Sequence, residues 1–170
     1  TYKEAGVDIK KGTEAISRIK EHVRNTFNVN VLTDLGGFGG CYKFSKDQYD
    51  EPVLISSTDG VGTKLKLAFL TNRHDTIGQC LVNHCVNDIL VQGAKPLFFL
   101  DYISINKLEL DKTKKIILGI VKGCKLAGCE LIGGETAEMP GTYGKGKFDI
   151  AGFSVGIVEK KKLLTKINVK

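Results

Sequence analysis

The sequence predicts an α+β (mixed α/β) fold in which helices pack on one face of a mixed sheet, and three observations predict it. Short apolar runs of strand character, Val53-Leu54-Ile55 and Leu131-Ile132, end in glycines and acids. Other stretches carry apolar residues at helical spacing. Residues 150–159 alternate Ala151, Phe153, Val155 and Ile157 with Gly152, Ser154, Gly156 and Val158. That is a strand with one bulky face and one face trimmed for a close neighbour.

At 170 residues the chain is most simply one domain, 1–170, large enough to bury a core without staples. Hydrophobic content of 42% and charged content of 26% are those of an ordinary globular protein, which excludes a disordered chain. No apolar run approaches a membrane span and the charged N-terminus lacks a signal-peptide core, so a cytoplasmic protein with no membrane partner is expected. Five cysteines with no CxxC pair fit buried, reduced thiols. The net charge of +6 comes from lysines spread over Lys10-Lys11, Lys112 to Lys115 and Lys160 to Lys162. With little aromatic interleaving, these read as solvated faces rather than a nucleic-acid surface.

Taken in order, the chain opens with a polar segment, with Asp8 and Gly12-Thr13 as helix-start signals. Ile16, Ile19, Val23 and Phe27 then give an amphipathic helix, with Lys20 beside the apolar stripe. Asp34-Leu35-Gly36-Gly37-Phe38-Gly39-Gly40 is too rich in glycine for a helix. It is either a flexible loop or a lid whose N–H groups close over phosphates. Tyr42 to Phe44 reads as a short strand, Val53 to Ser57 as a buried one, and Lys64 to Leu70 as the start of a helix. A buried helix is expected from Asp75-Thr76 to Gln92, stopped by Gly93. On it Ile77, Leu81, His84 and Asp88 share one face, which sets a carboxylate on an apolar stripe in need of a cation. Leu97 to Ile105 is apolar on both faces and so central, with Asp101 inside it. Asp111 is expected to cap a helix with the stripe Ile116, Ile117, Ile120, Cys124 and Ala127, ended by Gly128. Gly119 and Gly123, four apart, suggest close packing on a neighbour.

The chemistry concentrates in Ser57-Thr58-Asp59-Gly60-Val61-Gly62-Thr63-Lys64. Glycines let backbone approach a ligand, a carboxylate can hold a divalent metal, and lysine neutralises phosphate. This is not a P-loop, because Thr63 separates Gly62 from Lys64 and Leu65 follows the lysine. Three acids stand out: Asp59 after a strand, Asp88 on a helix and Glu135 after a strand. Strand ends are where α/β folds place ligand sites. Carboxylates, glycine turns and a lysine form the inventory for Mg²⁺ and a polyphosphate. From the residues alone the reading stops at a Mg-nucleotide site and phosphoryl chemistry.

Longer strings carry more. Thr58 to Lys64, Val86-Asn87-Asp88-Ile89, Gln92 to Tyr102 and Gly133-Gly134-Glu135-Thr136-Ala137-Glu138-Met139-Pro140 resemble the N-terminal half of the aminoimidazole ribonucleotide synthetases (phosphoribosylformylglycinamidine cyclo-ligases) of purine biosynthesis. The likeness runs from Tyr2-Lys3-Glu4 to Ala151-Gly152-Phe153. It implies an ATP-dependent ligase that closes the imidazole ring of formylglycinamidine ribonucleotide, using Mg²⁺. It also implies a homodimer whose sheets close into a shared β-barrel. Residue by residue, the resemblance makes Asp59, Asp88 and Glu135 metal–phosphate ligands and Asp59, Lys64 and Asp88 the catalytic set. Gly60, Gly62, Thr63, Lys64, Gly134, Glu135 and Thr136 become nucleotide contacts. Gly36, Gly37 and Gly39 belong to the covering loop, and Lys20 lies near ATP. Two departures stand out: Cys80 where the family usually has an acid, and Asn83-His84 for a small residue and methionine. Family members continue into a C-terminal domain of similar length, so the resemblance implies that 1–170 is the N-terminal, ATP-binding and dimerising half. The alternatives are another ATP-using enzyme of the superfamily, such as a selenophosphate synthetase or small-molecule kinase, and a non-catalytic dimerisation module.

Overall fold

A computed structural model describes residues 4–165. Residues 1–3, where the N-terminal resemblance begins, and 166–170 of the basic tail lie outside the described residues. The elements are α1 (Ile9–Arg24), β1 (Pro52–Gly60), α2 (Leu65–Thr71), α3 (Ile77–Leu90), β2 (Lys95–Ile105), α4 (Leu110–Ala127), β3 (Glu130–Glu138) and β4 (Phe148–Glu159). The strands form one mixed sheet in the order β1-β4-β2-β3, with β4 antiparallel to both neighbours and β2 parallel to β3. The predicted fold class holds, with α3 and α4 packed on one face of the sheet.

That face is organised by missing side chains. A Cβ at Gly152 would stand 2.9 Å from Cys85 Sγ and one at Gly156 2.5 Å from Ile89 Cγ2, so α3 lies directly on the trimmed face of β4. Ser154, between them, donates to the Cys85 carbonyl at 3.2 Å. The two helices meet through glycines as well. Cβ atoms at Gly119 and Gly123 would come within 2.7 Å of Asp75 O and 2.8 Å of Val82 Cβ. One at Gly78 would lie 2.5 Å from Ile120 N. Backbone cannot yield as a flexible side chain does, so Gly78→Ala is expected to cost about 1–3 kcal/mol. Urea denaturation checks this, and a loss below about 0.5 kcal/mol would mean that the helices can part freely. The core between sheet and helices is led by Leu81, Ile89, Phe99, Ile103, Ile116 and Ile120.

Several expectations shift. Asp8 does cap α1, accepting from Lys11 N at 3.2 Å, but Gly12-Thr13 sit inside the helix. The buried residues of α1 are Ala15 and Val23, whereas Ile16 faces solvent. Among the described residues Tyr42–Phe44 makes a single bridge, Val31 to Tyr42, and pairs with no strand. Glu109, not Asp111, is the cap residue of α4, and Asp111 lies in its first turn. Gly128 ends α4 in the left-handed conformation, φ +69°. There the N–H groups of Cys129 and Gly128 return to the carbonyls of Cys124 and Lys125.

The largest revision concerns strand ends. β1 runs through Asp59 and Gly60, and β3 through Gly133, Gly134 and Glu135, so these residues belong to strands rather than to turns after them. Sheet pairing overrides glycine's local preference for turns, since Asp59 and Gly60 face Gly152 and Ala151 across the ladder.

Candidate functional site

Register places Asp59 of β1, Gly152 of β4, Asp101 of β2 and Gly134 of β3 at one level across the sheet. Alternation turns the side chains of Ser57 and Asp59 toward α3. One face of that helix, with a residue each turn, answers them. Asp88 Oδ2 accepts from Ser57 Oγ at 3.1 Å. His84 donates from Nδ1 to the Gly60 carbonyl at 3.2 Å and lies 3.8 Å from Asp59 Oδ2. Cys80 Sγ receives Lys64 Nζ at 3.7 Å. Gly62, at φ +68°, turns the chain out of β1 into a single 3₁₀ turn over Gly62–Lys64, which sets Thr63 and Lys64 above the helix. Asp59, Gly60, Gly62, Thr63, Lys64 and Asp88 thus share one seam between an edge strand and a helix.

Asp88 differs from its expected setting. α3 is buried on its sheet side through Leu81, Val82, Cys85, Val86 and Ile89, but Asp88 itself is exposed. Its position falls at the margin of the apolar arc, where the helix overhangs β1. Asp59 is also about half exposed, with 48% of its side-chain surface accessible. Both carboxylates can therefore reach a ligand from solvent.

The remaining candidates lie elsewhere. β1 and β3 are opposite edges of the sheet, three strand spacings or about 14 Å apart. Glu135 pairs in register with Tyr102, on the face turned away from the helices, and Thr136 is exposed beyond it. Gly134 has the Asp101 carboxyl where its own side chain would be, 2.7 Å from Asp101 Cγ. A single chain consequently does not bring Glu135 to Asp59 and Asp88. The glycine loop sits on the β3 side, Gly40 lying 3.0 Å from the Ile132 carbonyl by its Cβ direction. Gly36 (φ +103°), Gly37 and Gly39 are exposed, and Phe38 at the tip is fully so. Lys20 is not free. Its Nζ is 2.8 Å from Asp34 Oδ2, at the root of that loop.

Three residues that sequence reasoning missed or set aside matter here. Ser57 and His84 hold Asp88 and Gly60, and their signal was the alternation of β1 and the one-turn spacing Cys80, His84, Asp88. Asp101 is buried at 6% exposure, and burial, reinforced by the charge of Glu135 and opposed by its own N–H, raises its pKa to about 7. Cys85 next to the seam is pushed up to about 11 by burial, so it is a packed thiol rather than a nucleophile.

Known proteins resemble this chain in sequence and in fold. The phosphoribosylformylglycinamidine cyclo-ligase of Trichlorobacter lovleyi is 60% identical over 164 residues, covering 96% of this chain and 47% of that protein. The one from Alkaliphilus oremlandii is 56% identical over 170 residues, covering 100% and 50%. The chain spans about half the length of the curated relatives it matches. In fold it is similar to the thiamine-monophosphate kinase of Stenotrophomonas maltophilia, with TM-score 0.70 at 16% identity over 86% of this chain and 43% of that one. The hydrogenase maturation protein HypE, solved in complex with ATP, gives TM-score 0.66 at 16% identity, over 95% and 44%. Residues 40–158, which hold β1 with its glycines, the α3 seam and all of the sheet but the last residue of β4, match the model of the AIR synthase related protein, N-terminal domain, and the chain belongs to that family.

Proposed function

We propose that this chain is the nucleotide-binding, dimerising N-terminal half of an ATP-dependent phosphoribosylformylglycinamidine cyclo-ligase acting in the cytoplasm. The observation that carries this reading is the convergence of Asp59, Lys64 and Asp88 on one solvent-facing seam, within a chain 60% identical to a protein of that name. In the reaction, ATP phosphorylates the formamide oxygen of formylglycinamidine ribonucleotide. The amidine nitrogen then attacks the activated carbon, and phosphate leaves as the imidazole ring closes.

The donor set fits Mg²⁺, which takes hard oxygens: two exposed carboxylates, Asp59 and Asp88, with the Ser57 hydroxyl beside them. Bound there, Mg²⁺ would neutralise phosphate charge. Lys64 supplies a positive charge to the same phosphates, and its only hydrogen-bond partner among the described residues is a thiol, which leaves that charge uncompensated. Gly62 and Thr63 offer backbone and hydroxyl donors, and no Cβ from Gly60 or Gly62 obstructs a ligand there.

Lys20, the loop Gly36 to Gly40, Gly134, Glu135 and Thr136 are assigned to the nucleotide site through a second copy of the chain. The outer face of the sheet supports this, because no helix among the described residues covers it. Leu54 is 64% exposed and Phe153 45%, with Leu100 beside Phe153 in register. Closing two such faces on each other would bury that apolar strip, and it would let one copy's β3 side approach the other's β1 edge.

Isothermal titration of ATP with and without Mg²⁺, run beside sedimentation, tests the proposal. Saturable binding that requires Mg²⁺, in a protein sedimenting as a dimer, is the expected result. A folded dimer that binds no Mg-ATP would remove the nucleotide roles of Lys64 and the glycine loop.

A further inference from the structure

Helix α1 carries Lys20 and Arg24 one turn apart, on the side facing the start of the glycine loop. Asp34 receives both. Its Oδ2 takes Lys20 Nζ at 2.8 Å and Arg24 Nη2, and its Oδ1 takes Arg24 Nε at 2.9 Å and the Leu35 N–H at 2.9 Å. One carboxylate thus satisfies donors from two cations and from the first residue of the loop. The loop beyond is closed at its base by Leu32 N to Cys41 O (2.9 Å) and Cys41 N to Thr33 Oγ1 (2.8 Å). Among the described residues, the N–H groups of Gly36, Gly37, Phe38 and Gly39 donate to nothing in the chain.

We propose that Asp34 is a positioning residue that acts as a charge latch, holding Lys20 and the root of the glycine loop on α1 until a polyphosphate takes its place. This rests on the nucleotide reading given above. The argument is electrostatic and geometric. Two cations against one carboxylate leave a net positive charge beside a row of unused N–H donors, which attracts an anion of several charges. The same carboxylate sits on the Lys20 ammonium and opposes that anion. Phosphate oxygens compete with Asp34 for Lys20 and Arg24 in the same hydrogen-bonding directions, so binding and release of the loop root are one exchange. No bond is made or broken in it. The Arg24 and Lys20 hydrogen bonds hold the Asp34 carboxyl well below the usual carboxylate range, so the latch stays charged throughout neutral pH.

Mg-ATP and inorganic tripolyphosphate are titrated separately into wild type, Asp34→Asn, Asp34→Ser and Asp34→Glu, each at two salt concentrations, with thermal melts to confirm folding. Removing the charge is expected to tighten both ligands by about two- to fivefold, the scale of an exposed ion pair, and to steepen the salt dependence. Asp34→Glu should bind as wild type does. A purely structural Asp34 would instead weaken binding when neutralised. Wild-type binding with no tightening in Asp34→Asn or Asp34→Ser overturns the latch and leaves the nucleotide reading standing. Binding of neither ligand by any of the four proteins overturns the nucleotide reading, and the latch with it.

Discussion

Replacing Asp59 by asparagine is expected to lower ATP-dependent turnover by about two to three orders of magnitude, with almost no change in melting temperature. The side chain is about half exposed, so it contributes little packing. Its Oδ1 accepts from the Gly60 N–H at 2.7 Å, a bond that an asparagine oxygen can keep. The turn into Gly62 is also held from the other side by His84 on the Gly60 carbonyl. What the substitution removes is the negative charge alone, at the point where the proposed site gathers its cation. Steady-state turnover in the full-length protein, measured against Mg²⁺ concentration, reads the effect. Loss of less than threefold would take Asp59 out of the catalytic set. Failure to fold would show that the carboxylate is structural.

Asp101→Asn is expected to act on stability instead, and with a definite pH dependence. The carboxyl lies under the helices, and its pKa is raised to about 7 from an ordinary value of 3.8. The folded protein therefore holds a proton that the unfolded chain gives up at lower pH. Stability from this group is full below pH 3.8 and falls as pH rises toward about 7. A rise from 3.8 to about 7 corresponds to at most about 4 kcal/mol by pH 8. Asparagine matches the shape of the protonated acid and does not ionise. The variant should be more stable than wild type at pH 8 by up to about 4 kcal/mol and nearly equal to it at pH 4. Urea midpoints from pH 4 to pH 8 give the comparison. Parallel profiles for the two proteins would show that Asp101 does not titrate in that range. The close fit of this carboxyl against Gly134 adds a geometric reason for a glycine at that position, whatever Gly134 does for a nucleotide.

Much of this was readable in the residues. Alternation in 150–159 announced β4 and its trimmed face, and Gly119 with Gly123 announced the helix crossing. The strand, glycine, acid and lysine order around Asp59 pointed to the seam. Less readable were the strand ends, because Gly60 and Gly134, which signal turns locally, are held in the ladder by their partners Ala151 and Asp101. Exposure of Asp88 escaped the periodicity for a related reason: helical spacing gives an angle around the axis, not where the helix projects past the sheet edge. The Lys20–Asp34 pair could have been suspected from Lys20 and Arg24 one turn apart, followed by a lone acid before the glycines.

By itself, then, the sequence determined the mixed α/β class, the positions of most elements, the family and the chemical kind of residues at the candidate site. These follow from local periodicity and from strings of neighbouring residues, which the chain carries wherever it folds. Tertiary structure decided which of those residues meet. Strand order β1-β4-β2-β3 sends Asp59 and Glu135 to opposite edges, the packing of α3 on β4 brings Asp88, His84 and Cys80 over β1, and α1 brings Lys20 to Asp34. Such encounters depend on sheet register and helix crossing, which arise from packing between residues far apart in the chain, and no local spacing records them.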